Sequence, residues 1–208
     1  MTTQPFFLGI NDPLGGNPSG AAFNPAAFNI YDAWLNVAGI SRQSVARRSI
    51  ARGQTIFNNF PITITGVGGL NDALGQTKIQ GTCTTCHDSP NVGDHSLAVA
   101  LNIGIADYPA HAGLDISGLP VYTVQCNTTD PPAIIRTTDI GRAMITGKCA
   151  DIGKTKGPVL RGLSARAPYF HNGSASSLKD VVTFYNKRFT MGLTVQQQAD
   201  LVAFLKSL

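Results

Sequence analysis

The chain has 208 residues, only 13% of them charged, and a formal net charge of +4. A length of this order supports one good core, and so weak a charge field leaves no electrostatic footprint for nucleic acid or a membrane surface. Glycine (22 residues) and proline (12) are plentiful, which predicts much loop structure around a modest helical core.

No apolar run reaches transmembrane length. The opening MTTQPFFLGI has neither a basic n-region nor a long h-region, so it does not read as a secretory signal. Residues 1–40 combine turn signals, Asn11-Asp12-Pro13 and Gly15-Gly16-Asn17-Pro18, with spaced aromatics (Phe6, Phe7, Phe23, Phe28, Tyr31, Trp34). This predicts an arm docked by single anchors on a main domain at 41–208, with a partner-docking surface as the functional alternative. The first helix is expected from Ser44 to Phe57, where Ala46, Ile50, Gly53 and Phe57 make one apolar stripe. Glycine inside a helix costs roughly 1 kcal/mol against alanine, so Gly53 predicts a close helix crossing. Arg42, Arg47, Arg48 and Arg52 lie elsewhere on the helix, as a solvated face or an attraction for an acidic redox partner. Pro61 to Val67 then alternates like a strand and stops at Gly68-Gly69, which suggests a short hairpin in an insertion at about 59–80.

Next comes Cys83-Thr84-Thr85-Cys86-His87, the c-type haem attachment signature. The two thiols would add to the haem vinyls as thioethers, and the His87 imidazole would ligate the iron. A thioredoxin-type redox pair wants a βαβ context that is missing around this motif. A four-cysteine zinc site would have to recruit Cys126 and Cys149, which are far apart, whereas structural zinc ligands usually come in close pairs. Covalent haem is therefore the favoured reading. Haem c is attached outside the cytoplasm, so a periplasmic or extracellular location is expected, with the export signal removed or left out of this numbering. That compartment permits a disulfide between Cys126 and Cys149; two unrelated buried thiols are the other reading.

Residues 88 to about 135 read as a long insertion with one strand-like piece, Val121 to Gln125. It carries His95 and His111, each read as an isolated surface histidine rather than an iron or metal ligand. A short helix is expected after Asp139, through Gly141 to Met144, and another over about 177–186 with the stripe Leu178, Val181, Val182 and Tyr185. The last helix opens on a capping box, Thr194 with Gln197, and its core face is Leu201, Val202, Leu205 and Leu208.

Taken in order, ARGQTIF, CTTCH, GPVLRGLSARAPYFHNGSASSLKDVVTFYN and LTVQQQADLVAFLKSL resemble the electron-transfer domain of the bacterial di-haem cytochrome c peroxidase superfamily. The resemblance covers the first helix, the haem motif and nearly everything from about residue 136; the arm and the insertions lie outside it. It implies a mainly α, cytochrome c-like helical domain around one covalent haem, with long loop insertions and one or two short β-hairpins. Those peroxidases carry two CxxCH motifs and this chain has one, so the resemblance implies electron transfer without handing on peroxidase activity.

The sixth iron ligand is expected from the loop before the last helix or from the helix ahead of it. Chemistry favours Met191, because a thioether is the common partner of histidine in relay cytochromes. Register on the APYFHNGS and LVAFL segments favours Tyr185, where the superfamily relay haem takes a Met or a Tyr. Met144 is a third candidate. His171, in the superfamily's PYFHxG segment, is read as a neighbour of the haem edge or a propionate, with an acid-base role only if the iron has an open face. Arg161 and Arg166 are candidates for propionate contacts. The leading expectation is an exported mono-haem cytochrome passing single electrons between a protein donor and acceptor. A peroxide-using haem enzyme is the second, and the third is a redox-sensing module that holds a partner through the arm or residues 88–132.

Overall fold

The computed structural model describes residues 20, 22–24, 26, 28–87, 99–129 and 131–208. His95, Phe6, Phe7 and the turn signals at 11–18 lie outside them. Among the described residues there are four α-helices: α1 (Arg42–Asn59), the single turn α2 (Ala143–Thr146), α3 (Leu178–Arg188) and α4 (Val195–Lys206). Six short strands among the same residues form three separate antiparallel pairs. β1 (Ile62–Thr65) pairs with β2 (Lys78–Gly81), β3 (Ala100–Leu101) with β6 (Thr155–Lys156), and β4 (Tyr122–Cys126) with β5 (Ala133–Thr137).

The expectation of a mainly α, cytochrome c-like helical domain is therefore not met. Between α1 and α3 the described chain builds one α-helical turn, three short 3-10 turns and all three ladders. The reason is local. The alternating Ile62-Thr63-Ile64-Thr65 buries both isoleucines on one face, and the long segment up to residue 156 uses its β-branched residues in pairs of edges. The strand expected at 61–67 exists, but its partner is β2, reached through residues 66–77 rather than through a tight turn at Gly68-Gly69. The strand expected at Val121 to Gln125 is β4, and β5 is a second strand that sequence periodicity left in the loop.

The helices begin where their caps place them. Ser41 caps α1 by accepting from Ser44 N, Ser177 and Asp180 form a reciprocal capping box on α3, and Thr194 with Gln197 forms the expected one on α4. α1 is longer than its apolar stripe indicated, and its buried positions are Ala51, Gly53, Gln54, Phe57 and Asn58. Ala46 stays exposed. Gln54 and Asn58 are buried because they hold the incoming segment: Tyr31 N donates to Gln54 Oε1 (2.9 Å) and Asn58 Nδ2 donates to Phe28 O (2.6 Å).

Gly53 sits at the crossing of α1 with α4. A Cβ there would lie 2.0 Å from Asp200 O and 2.6 Å from Phe204 Cβ, so only glycine lets the two backbones approach this closely. The same crossing carries an ionic cluster built on the buried Asp200 and the exposed Arg52. Arg52 donates through Nε and Nη2 to the Asp200 carboxylate (2.7 and 2.9 Å), which also accepts from Ser49 Oγ and Gln196 Nε2. Burial alone would raise the Asp200 carboxyl; the hydrogen bonds from Arg52, Ser49 and Gln196, with the Arg52 charge, outweigh it and hold it below the usual carboxylate range.

Two apolar clusters follow from this framework. One joins Phe28, Phe57, Leu160, Leu163, Leu178, Val182, Leu201 and Phe204. The other joins Ile62, Ile64, Val67, Leu70 and Leu101. Cys83 and Met191 pack against both, so the two clusters meet at those two side chains.

Candidate haem site

The motif is held in a tight 3-10 turn over Cys83–Thr85. Thr82 and Thr85 cap it reciprocally, with Thr82 N donating to Thr85 Oγ1 (2.9 Å), and His87 N donates to Cys83 O (3.0 Å). In such a turn residues three apart eclipse one another, so Cys83 and Cys86 share a face. Gly81 allows the turn to close, because a Cβ there would lie 2.4 Å from Thr85 Oγ1.

That face opens on a cavity of about 350 Å³, lined by Cys83, Cys86 and His87 from the motif. Phe57, Ile62, Ile64, Leu101, Leu160, Leu178, Val182 and Leu201 give it apolar walls; Tyr185, Phe189 and Met191 close the side formed by α3 and its exit. The volume is in the range of sites that take a small organic cofactor, roughly 300–1,000 Å³. The donor set also suits haem c: two thiols, one imidazole and an apolar cage. Burial, then the neighbouring Cys86, push the Cys83 thiol up to about 12. A redox or metal-binding thiolate needs the opposite shift, so the thioredoxin-type reading loses its support. The zinc reading loses its ligands, since Cys126 and Cys149 are joined as a disulfide with Cα atoms 5.9 Å apart. Among the described residues no group of three His, Cys, Asp or Glu side chains could hold a metal ion.

His87 is kept neutral. Burial, helped by the charge of Lys156, lowers its imidazole to about 4, and Nδ1 is buried with no hydrogen-bond partner. A neutral ring is the form that offers a lone pair to a metal. Both sixth-ligand candidates of the loop region reach the cavity, Tyr185 from α3 and Met191 from the segment after it. Burial, then the two cysteines, push the Tyr185 phenol above its ordinary range. Met191 follows Thr190, a non-glycine residue in the left-handed region at φ +50°. Met144, 73% exposed on α2, is not part of the lining and drops out.

The remaining expectations divide. His171 lines the cavity, and its Nδ1 is paired with the Asp139 carboxylate, which is itself fixed by Gly141 N (2.8 Å). Beside it Phe170, also in the lining, stands in the left-handed region at φ +67°, a strained conformation for an aromatic residue. Arg166 lines the cavity while donating to Val159 O (2.7 Å). Arg161 does not line it. His111 is held by Asp107 (2.8 Å), outside the cavity. Lys156 was not legible as a site residue, because only the pairing of β6 with β3 brings it to the cavity wall.

Relatives of this chain are cytochrome c peroxidases. It is 31% identical over 144 residues to the cytochrome-c peroxidase IdrP1 of Denitromonas iodatirespirans, covering 61% of this chain and 36% of that protein. Against IdrP2 of the same organism it is 30% identical over 136 residues, with 62% and 36% covered. Against the cytochrome c551 peroxidase of Nitrosomonas europaea it is 28% identical over 148 residues, with 67% and 36% covered. The chain thus spans about a third of the length of the curated relatives it matches. No family model matches it, and no solved structure matches it significantly.

Proposed function

We propose that this chain is an exported c-type cytochrome that holds one haem through thioethers to Cys83 and Cys86 and passes single electrons between protein partners. The observation that carries this reading is the convergence on one apolar cavity of both motif thiols, a neutral His87 and, from α3 and its exit, the donors Tyr185 and Met191. In this reading His87 is the proximal iron ligand and Tyr185 or Met191 the distal one. Arg166 and His171 face the cofactor's polar edge. Bound haem would supply a one-electron couple; the chain supplies ligands, exclusion of water and partner access. The disulfide agrees with a periplasmic or extracellular site of action. No helix among the described residues is long and apolar enough to cross a membrane.

The test is an optical and EPR spectrum of the holoprotein in both oxidation states. A low-spin, six-coordinate iron is expected; a five-coordinate, high-spin iron with peroxide turnover would replace electron transfer by catalysis. That second reading, a haem peroxidase, is favoured by the relatives' activity and by the His171–Asp139 pair at the cavity, an arrangement that orients an imidazole for proton transfer.

A further inference from the structure

We propose that Arg188 is the positioning residue of the haem's distal side, its guanidinium fixing the exit of α3, and the iron ligand carried there, to the facing wall of the cavity. The inference rests on the haem reading above and deepens it at a residue that does not itself line the cavity.

Arg188 is the last residue of α3, and its side chain reaches three backbone carbonyls on two separate segments. Nε donates to Ile103 O (3.0 Å), while Nη2 donates to Thr65 O (3.0 Å) and to Gly66 O (3.0 Å). Thr65 ends β1, whose Ile62 and Ile64 are wall residues, and Ile103 is a wall residue itself. One planar fork therefore ties the strand side of the cavity to its helix side. A lysine ammonium, a compact donor on a flexible stem, does not reproduce that fixed geometry.

Both candidates for the sixth iron ligand are reached through this clamp. The guanidinium lies over the Phe189 ring, 4.9 Å from its centroid, and that ring stacks on Tyr185 with centroids 6.2 Å apart and 23° between the planes. Beyond it the chain turns back onto α3: Met191 N donates to Asn186 O (3.0 Å) and Leu193 N to Asn186 Oδ1 (2.9 Å). The buried Leu193 anchors the far end of this turn in the core, and Arg188 holds its near end. Phe189 and Met191 form cavity wall between the two anchors, on irregular backbone with Thr190 in the left-handed region.

The consequence for ligation is mechanical. Irregular segments open more readily than packed helices, and a donor carried by such a segment stays on the iron only while the segment is held. In exchange with an external base, one donor leaves the ferric iron and another takes its place, with no electron moving. Loss of the clamp favours the external base.

The experiment is an imidazole titration of the ferric full-length holoprotein, followed by optical and EPR spectra. Wild type is compared with Arg188→Gln, Arg188→Lys and, as a destabilised control at the α1–α4 crossing, Gly53→Ala; covalent haem and Tm are measured in each. Arg188→Gln should bind imidazole roughly tenfold more tightly or better, the equilibrium effect of about one lost charged hydrogen bond. Arg188→Lys should gain less, and Gly53→Ala should stay near wild type. Wild-type imidazole affinity in fully haem-loaded, folded Arg188→Gln would overturn the proposal. So would an equal gain in Gly53→Ala, because general loosening rather than the clamp would then be at work. A wild type without covalent haem, or with iron already five-coordinate, would overturn the functional reading itself and this proposal with it.

Discussion

At the scale of single residues, Cys83, Cys86 and His87 were legible because the chemistry is written in contiguous positions, and the 3-10 turn needs only its own threonines to form. The far side of the cavity was legible only as a choice. Tyr185 and Met191 both arrive there, the first from a helix stripe and the second through the left-handed Thr190. Replacing them singly, by Phe and by Leu, separates the two. Loss of the true ligand converts the low-spin spectrum to high spin and shifts the potential, while the other substitution leaves both near wild type; no change from either would remove both assignments. Lys156 was hidden for a different reason. A residue that lines a site through long-range strand pairing or loop closure carries no local signal.

At the scale of elements, the helices were readable because caps and periodicity agree, whereas the ladders were only partly so. β5 has a partner, β4, but no pattern of its own beyond a few β-branched residues. Gly53 is the clearest element-level signal, and it has a quantitative consequence. Alanine would gain about 1 kcal/mol of helix propensity. Against this stands a collision with the Asp200 backbone, and overpacking costs typically about 1–3 kcal/mol or more. Gly53→Ala should therefore lower Tm in calorimetry, and an unchanged or higher Tm would show that α1 and α4 do not cross this closely. The Asp200 cluster at the same crossing gives a pH dependence. Its carboxyl is held below the usual range in the folded chain, so its stabilisation is fully present above about pH 4 and fades as pH falls through the depressed folded value. Asp200→Asn should cost roughly 1–3 kcal/mol at pH 7, measured by urea unfolding, and the gap to wild type should narrow in acid. A gap that is constant with pH would show that the carboxylate charge contributes nothing.

At the scale of the whole molecule, the segment between α1 and α3, read from sequence as insertions with two strand-like pieces and one short helix, is what turns a helical expectation into a mixed structure. Its β4 end is tied by the disulfide to Cys149, and the chain then runs directly into β6 and the cavity wall. Crosslinking residues 23 apart restricts the unfolded chain, an effect of about 3 kcal/mol in the loop-entropy account. The double variant Cys126→Ser with Cys149→Ser should lose stability of that order in denaturant, keep its covalent haem, and become insensitive to added thiol. Wild-type stability unchanged by thiol would argue against the crosslink. Everything here nevertheless depends on what fills the cavity bounded by the motif, α3 and the two apolar clusters. The most direct measurement is acid-acetone extraction of the purified holoprotein alongside Cys83→Ala with Cys86→Ala. Haem should stay with the denatured wild-type polypeptide and leave the double variant; haem that leaves the wild type, or that remains covalently attached without these two sulfurs, would contradict the account.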